Sequence, residues 1–379
     1  MTLSGRRSRA AIIGVGTTEQ GTLTGRSANE IAVDALALAL TDAGIANKSD
    51  IDGLITCRSF GGYGVDTQIG PMIGLNPVYS ATLDYGTCNF SLHLALMALE
   101  AGLASTIAIM YGTNQRSAGN RFRATPGAED YGAPYGFFNV AGPAALAFAR
   151  HQHLFGTTER QLGEIAVAFR QNARLNPLAI FTKELSIEDY LASRYIVRPL
   201  RRPDICMISD GGACLILTTA ERARDRAQRP VHVVGAAQQT GLRNYQNADQ
   251  LMRPWIASVA DRVYADAGLS RADIDVLYIQ DPTSIWVLQM LEWYGFCPVG
   301  EGGRFLEGGR IALGGELPVN TNGGQLAEAY MWGWLHLCEA VRQLRGSCGD
   351  RQVPGATVAQ YCSTMGFLKA ASSILAVDR

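Results

Sequence analysis

The stretch Asp42-Ala43-Gly44-Ile45, followed by Asp50-Ile51-Asp52 and Leu54-Ile55, returns as Asp266-Ala267-Gly268-Leu269, then Asp273-Ile274-Asp275 and Leu277-Tyr278-Ile279, with one residue dropped between the two blocks. In each copy a glycine closes a helix, because it adopts the left-handed conformation of a last turn at no steric cost. Asp-Ile-Asp then leads into a short apolar strand. Self-similarity of this kind marks a duplicated supersecondary unit.

The copies also begin alike. Ala10-Ala11-Ile12-Ile13-Gly14-Val15-Gly16 precedes the first helix and Val231-His232-Val233-Val234-Gly235-Ala236 the second. Ser27 and Glu30 have capping-box spacing, and Ile31, Ala32, Ala35, Leu36 and Leu38 follow at helical intervals. Further along, a helix is expected after Asp84-Tyr85-Gly86-Thr87-Cys88, running to about Gly102, with a strand at 106–111. Its counterparts are a helix after Asn320-Thr321-Asn322-Gly323-Gly324 and a strand at 357–361. Strand, helix, strand, helix, strand, twice over, predicts an α/β fold of two similar βαβαβ halves packed in layers. The loops at Cys88 and Gly323 occupy equivalent places and are expected to meet near a pseudo-twofold axis. Residues 115–204, rich in Gly, Pro, Arg and aromatics, read as an irregular insertion over a cleft, with a helical piece at 159–175 and a return strand at 213–217. The expected organisation is a first half at 1–114 completed by 205–222, the insertion at 115–204, and a second half at 223–379.

Composition narrows the function. With 379 residues, 47% of them hydrophobic, and 33 basic against 34 acidic side chains, the chain has material for a large core and no surplus charge for neutralising nucleic acid. No apolar run is long enough to span a bilayer. Arg6, Arg7 and Arg9 before AAIIGVG imitate a signal peptide without a cleavage pattern, so the run reads as a first strand and the expected location is the cytoplasm. The eight cysteines include no Cys-x-x-Cys pair, so no metal site is expected and free thiols in a reducing compartment are.

Cys88 is expected at a helix N-terminus, where the dipole and unpaired N–H groups favour a thiolate and can hold an oxyanion. The competing reading is that of a small buried hydrophobe. Cys362 ends the last strand of the second half, where α/β sites are commonly built, and Cys57 is a weaker candidate of the same type. Gly14-Val15-Gly16 starts like a dinucleotide fingerprint, but Glu19 stands where the third glycine belongs. His93 and His336 read as packing residues. Arg194, Arg198, Arg201 and Arg202 read as phosphate contacts or a solvated loop, and 300–309 as a mobile loop.

The segments 320–330 (NTNGGQLAEAY), 295–305 (GFCPVGEGGRF), 317–333 (LPVNTNGGQLAEAYMWG) and 339–346 (EAVRQLRG) resemble the thiolase superfamily, and within it the sterol-carrier or lipid-transfer-type branch. The resemblance spans nearly the whole chain. It implies that Cys88 is the acyl-accepting nucleophile and Cys362 the proton shuttle, with Asn320, Gly323 and Gly324 in the substrate-binding loop. The histidine that activates the nucleophile in thiolases is replaced by Tyr330, and the Asn or His of the oxyanion hole by Gln280. Neutral tyrosine, with an ordinary pKa near 10, is a poor base. Tyr330 and Gln280 are instead suited to donate hydrogen bonds to a thioester or ketone oxygen.

The resemblance further implies coenzyme A as co-substrate with no covalently bound cofactor, a homodimer paired through sheet edges in the first half, and a small zinc-ribbon/OB-fold acyl-CoA-binding subunit as partner. The retained thiols favour thiolysis of a 3-oxoacyl-CoA, for instance an aryl-ketoacyl-CoA such as benzoylsuccinyl-CoA. A related branch performs retro-aldol cleavage of β-hydroxyacyl-CoA in steroid side-chain breakdown. It shares the tyrosine at 330, has another tyrosine where Gln280 stands, and needs no nucleophilic cysteine. A catalytically degenerate acyl-CoA-binding scaffold is the third possibility. The thiolase reading requires the sulfurs of Cys88 and Cys362 to meet across a shared pocket.

Overall fold

The computed structural model describes residues 10–58, 65–84, 88–119, 140–224, 226, 228–241, 249–366 and 369–378. The aromatic and arginine-rich part of the insertion at 120–139 and the turn at 85–87 lie outside the described residues. The first half contains β1 (Ala10–Thr17), α1 (Ala28–Asp42), β2 (Gly53–Arg58), α2 (Asp66–Ile73), β3 (Tyr79–Asp84), α3 (Cys88–Glu100) and β4 (Thr106–Thr113). The insertion holds α4 (Ala141–Phe155), α5 (Glu159–Arg174), α6 (Ile187–Ala192) and a hairpin of β5 (Tyr195–Val197) and β6 (Leu200–Arg201). After β7 (Gly211–Thr219) and α7 (Ala220–Ala223) come β8 (Val231–Thr240), α8 (Ile256–Ala267), β9 (Val276–Ile279), α9 (Ser284–Trp293), α10 (Gly302–Leu306), α11 (Gly324–Ala327), α12 (Trp334–Arg345), β10 (Val358–Met365) and β11 (Lys369–Ala376).

Among the described residues nine strands form one sheet in the order β3-β2-β4-β7-β1-β8-β11-β10-β9. Outward from the centre, β1-β7-β4-β2 on one side matches β8-β11-β10-β9 on the other, which is the duplication in spatial form. The halves join where Ala10, Ala11 and Ile12 pair antiparallel with Val233, His232 and Val231.

The repeated aspartates explain why the repeat is visible at all. In β1 and β8 the pairing register slips at Ile13 and at Val234. Just past each bulge a backbone N–H is taken by an aspartate: Val15 N donates to Asp42 Oδ2 at 2.8 Å and Ala236 N to Asp266 Oδ2 at 2.9 Å. The last aspartate of each Asp-Ile-Asp binds the start of the neighbouring strand. Asp52 accepts from Ser105 N and Thr106 N, and Asp275 from Thr357 N and Val358 N. Gly14 and Gly235 are required by packing. A Cβ at Gly14 would lie 2.5 Å from Ala39 O, and one at Gly235 2.8 Å from Val263 O. The Gly-Val-Gly run is a strand-to-helix contact surface and not a nucleotide turn.

Strand alternation sorts the core into layers. One cluster lies under α1 and α2, and another joins α8 and α9 to α4 and α5 of the insertion. A third takes residues from both halves of the sheet and packs them on α3 and α12 (Leu92, Leu96, Ile109, Leu217, Tyr278, Trp334, Leu375).

Three expectations need correction. Where described, the insertion is three helices and a hairpin, because α4 and α5 bury Phe148, Leu162, Ile165 and Phe169 against α8 and α9. The segment 300–309 is packed and partly helical, with Glu292 Oε1 accepting from Gly300 N, Gly302 N and His151 Nε2. The helix after Gly324 stops after four residues, and the inner helix α12 begins only at Trp334. Trp332 (φ 51°) and Gly333 (φ 80°) take positive φ and interrupt it. The positional equivalent of Cys88 is therefore the Gly333–Trp334 junction and not the Gly323 loop.

Candidate active site

A cavity of about 440 Å³ opens where the ends of β9 and β10, the α11–α12 connection and the insertion converge. Its wall is mainly apolar (Val140, Ile196, Ile205, Ile208, Pro282 and the indoles of Trp286 and Trp332), and besides the indole N–H groups, Gln280, Tyr330, Thr364 and Cys206 carry polar side-chain atoms.

Tyr330 is placed by a chain of local contacts. Asn320, with φ 48°, clamps the last residue of β9: its Oδ1 accepts from Ile279 N and its Nδ2 donates to Ile279 O, both at 2.8 Å. Asp281 then receives the first turn of α11, its Oδ1 from Gln325 N at 2.8 Å and its Oδ2 from Leu326 N at 3.1 Å. Position 324 must be glycine, since a Cβ there would lie 2.2 Å from Asp281 Oδ2 and its φ is +64°. Beyond α11, Glu328 accepts from Asn176 Nδ2 at 2.8 Å and from Asn322 Nδ2. The Tyr330 carbonyl accepts from Ser209 Oγ at 3.0 Å, and its ring rests on Trp332 with centroids 5.5 Å apart.

Gln280 follows β9 and is buried. Its N–H donates to Cys362 O at 2.9 Å, and its Oε1 accepts from Thr364 N at 3.1 Å. Below the cavity, His336 Nε2 donates to Asp281 Oδ1 at 2.8 Å. Burial pushes the Asp281 carboxyl up, and His336 partly opposes the shift. Burial and the charge of Glu339 push Glu328 up to about 7.

The structure brings Tyr330 and Gln280 together on one cavity and separates the two thiols. Cys88, the first residue of α3, is fully buried in the inner cluster. Desolvation raises its thiol well above the ordinary value, so burial outweighs the thiolate-favouring helix end expected from the sequence. Cys362 is fully buried, with Sγ 3.6 Å from Ser372 Oγ and its thiol pushed up to about 12 by burial. On β10, Tyr361 belongs to the α3/α12 cluster and Ser363 receives Asn89 Nδ2 of α3 at 3.0 Å, while Cys362 packs in the α8/α9 cluster. Cys88 and Cys362 thus face opposite sides of the sheet, and neither is among the described residues lining the cavity. The expected meeting of the two sulfurs does not occur. The physical reason is the period of two along β10.

The substrate-binding loop is also differently employed. Both polar side-chain atoms of Asn320 serve the β9 backbone. Gly323 abuts Ala173 (2.6 Å to a built Cβ) and Gly324 abuts Asp281, and none of the three lines the cavity. Cys57 Sγ sits 3.0 Å from Ser91 Oγ, and His93 Nε2 3.0 Å from Ser373 Oγ. Arg201 is held by Glu159 at 2.8 Å and stacks on Tyr195. Sequence reasoning missed Thr364, Trp286, Trp332 and Asp281. The adjacency of Asp281 to Gln280 and of Trp332 to Tyr330 was the available signal. Among the described residues no cluster of His, Cys, Asp or Glu could hold a metal, and no helix is long and apolar enough to cross a membrane.

This architecture has known relatives. Residues 237–377 match the thiolase C-terminal domain-like family. The chain is similar to the 17-hydroxy-3-oxo-4-pregnene-20-carboxyl-CoA lyase of Mycobacterium tuberculosis, at 36% identity over 364 residues covering 89% of this chain and 92% of the relative. It is 35% identical over 357 residues to the steroid side-chain-cleaving aldolase of Thermomonospora curvata, covering 89% and 90% respectively. A solved structure described as an Ltp2-ChsH2(DUF35) aldolase superposes with a TM-score of 0.89 at 32% identity, covering 98% of both chains. The chain belongs to the thiolase superfamily, in its sterol-carrier-type branch, and is an enzyme of that family.

Proposed function

We propose that the protein is a retro-aldolase that cleaves a β-hydroxyacyl-CoA. One observation carries the reading: the cavity presents Tyr330 and Gln280, while Cys88 and Cys362 are sealed on opposite faces of the sheet. The lyase and aldolase activities named for its relatives support it. Thiolysis through a Cys88 acyl-enzyme, favoured above because both thiols are retained, would need that sulfur open to substrate.

In the proposed reaction Tyr330 acts as the phenolate, its own proton having gone to solvent beforehand, and takes the proton of the substrate β-hydroxyl. The Cα–Cβ bond breaks, its electron pair passes to the thioester as an enolate, and a ketone or aldehyde leaves. The proton then returns to Cα, so the balance closes without an added reactant. Gln280 Nε2 donates to the oxygen on which charge develops. The apolar wall with Trp286 and Trp332 suits a bulky ring system next to the reacting carbon, as in a steroid side chain.

Further parts of the reading rest on the relatives and on family likeness. They are a DUF35-type acyl-CoA-binding subunit, with zinc-ribbon and OB-fold parts, as partner, and a homodimer formed through the first half, where β3 is the outermost strand. Coenzyme A enters as part of the substrate. The test is incubation with a β-hydroxyacyl-CoA in the absence of free CoA: a carbonyl product is expected, and Tyr330→Phe is expected to slow its release about 10²- to 10⁴-fold. Strict dependence on free CoA would overturn the reading.

A further inference from the structure

Thr364 lies two residues beyond Cys362 on β10, is fully buried, and lines the cavity. Its N–H is committed to Gln280 Oε1, but its Oγ1 has no hydrogen-bond partner among the described residues. A buried hydroxyl left unpaired weakens the fold, and such atoms are few in native proteins. The hydrogen bond between Thr364 N and Gln280 Oε1 also fixes the Gln280 amide. Its Nε2 remains a donor without a partner among the described residues. Both donors therefore belong to neighbouring residues of the wall that carries Tyr330. A hydroxyl and an amide N–H on one cavity wall can together serve a single acceptor oxygen that gains negative charge.

We propose that Thr364 Oγ–H and Gln280 Nε2–H together bind the thioester carbonyl oxygen of the acyl-CoA, and its enolate when the C–C bond breaks, which makes Thr364 a catalytic residue. The effect on rate rests on the retro-aldol reading; the effect on binding does not.

Thr364→Val keeps the shape and removes the donor, and Thr364→Ser keeps the donor. Binding of a saturated acyl-CoA thioester is compared with that of the matching S-alkyl-CoA thioether, which lacks the carbonyl. Wild type and Thr364→Ser are expected to prefer the thioester about tenfold, and Thr364→Val to lose that preference. The melting midpoint of Thr364→Val stays the same or rises, since an unpaired hydroxyl has gone, while kcat on a β-hydroxyacyl-CoA falls about 10²-fold and KM rises by no more than about the tenfold lost in thioester binding. Absence of the preference in wild type, or its persistence in Thr364→Val, overturns the subsite. A lost preference in a protein that cleaves no β-hydroxyacyl-CoA would leave the subsite standing and remove the reaction.

Discussion

Asp281 Oδ1 lies 2.8 Å from His336 Nε2, and both side chains are buried. His336 Nδ1 has no partner. The contact with the carboxylate places a proton on Nε2. With Gln325 N and Leu326 N on the same carboxylate, Asp281 ties down α11 before Tyr330 and α12 after it. Asp281→Asn sets an amide NH₂ against at least one of these donors. The expected cost is about 1–3 kcal/mol of stability, with faster amide exchange across 324–336 and a lower kcat. Chemical denaturation with hydrogen-exchange mass spectrometry checks it, and unchanged exchange in that segment would contradict the bracketing role.

The two buried thiols are expected to be packing residues. Cys88→Ala and Cys362→Ala should each lose about 1–2 kcal/mol through small cavities and keep turnover within about threefold, a difference under 1 kcal/mol in barrier. In the native protein at pH 8 neither sulfur should react with a thiol reagent, since the thiolate is scarce and access is closed. Peptide mapping after labelling decides this, and rapid modification at position 88 would revive a nucleophilic role.

Glu328 links buried charge to pH. Its folded-state pKa is about 7, against an ordinary 4.5. Between those values the folded state holds more protons than the unfolded one, so this group's contribution is fully present below about 4.5 and is lost as pH rises through 7. Glu328→Gln should flatten the melting-temperature profile between pH 5 and 8 relative to wild type. A parallel pair of profiles would show that Glu328 does not carry the dependence.

Gly324→Ala combines a positive φ with a Cβ 2.2 Å from Asp281 Oδ2. Displacing that carboxylate shifts α11, so both the melting temperature and kcat should fall, with destabilisation of at least about 1 kcal/mol from the backbone alone. Gly25→Ala is the control for the backbone alone, with φ +80° and open space around the added Cβ. Its activity should be unaffected. Equal losses of activity in the two variants would refute the steric argument.

Much of the architecture was legible because its determinants repeat. Asp42 and Asp266 bind N–H groups just past equivalent bulges, and Asp52 and Asp275 start equivalent strands, so one geometric demand wrote the same letters twice. Tyr330 and Gln280 were legible by family likeness. The cavity they share was not, for it joins residues from separate stretches at 206, 280, 330 and 364. The thiol pairing failed for a local reason. Cys362 sits one position from Tyr361 and one from Ser363, and a single step along a strand changes faces. Thr364 escaped notice because an unsatisfied hydroxyl has no signature until its surroundings are known.

Among the described residues the seam between β1 and β8 counts three residue pairs. The apolar filling shared by α3 and α12, of which Cys88 is part, takes side chains from both lobes and holds them together. An acyl group loaded onto that sulfur would have to wedge this filling apart. Carrying a covalent intermediate at position 88 and keeping the lobes in register are, for this chain, opposing demands.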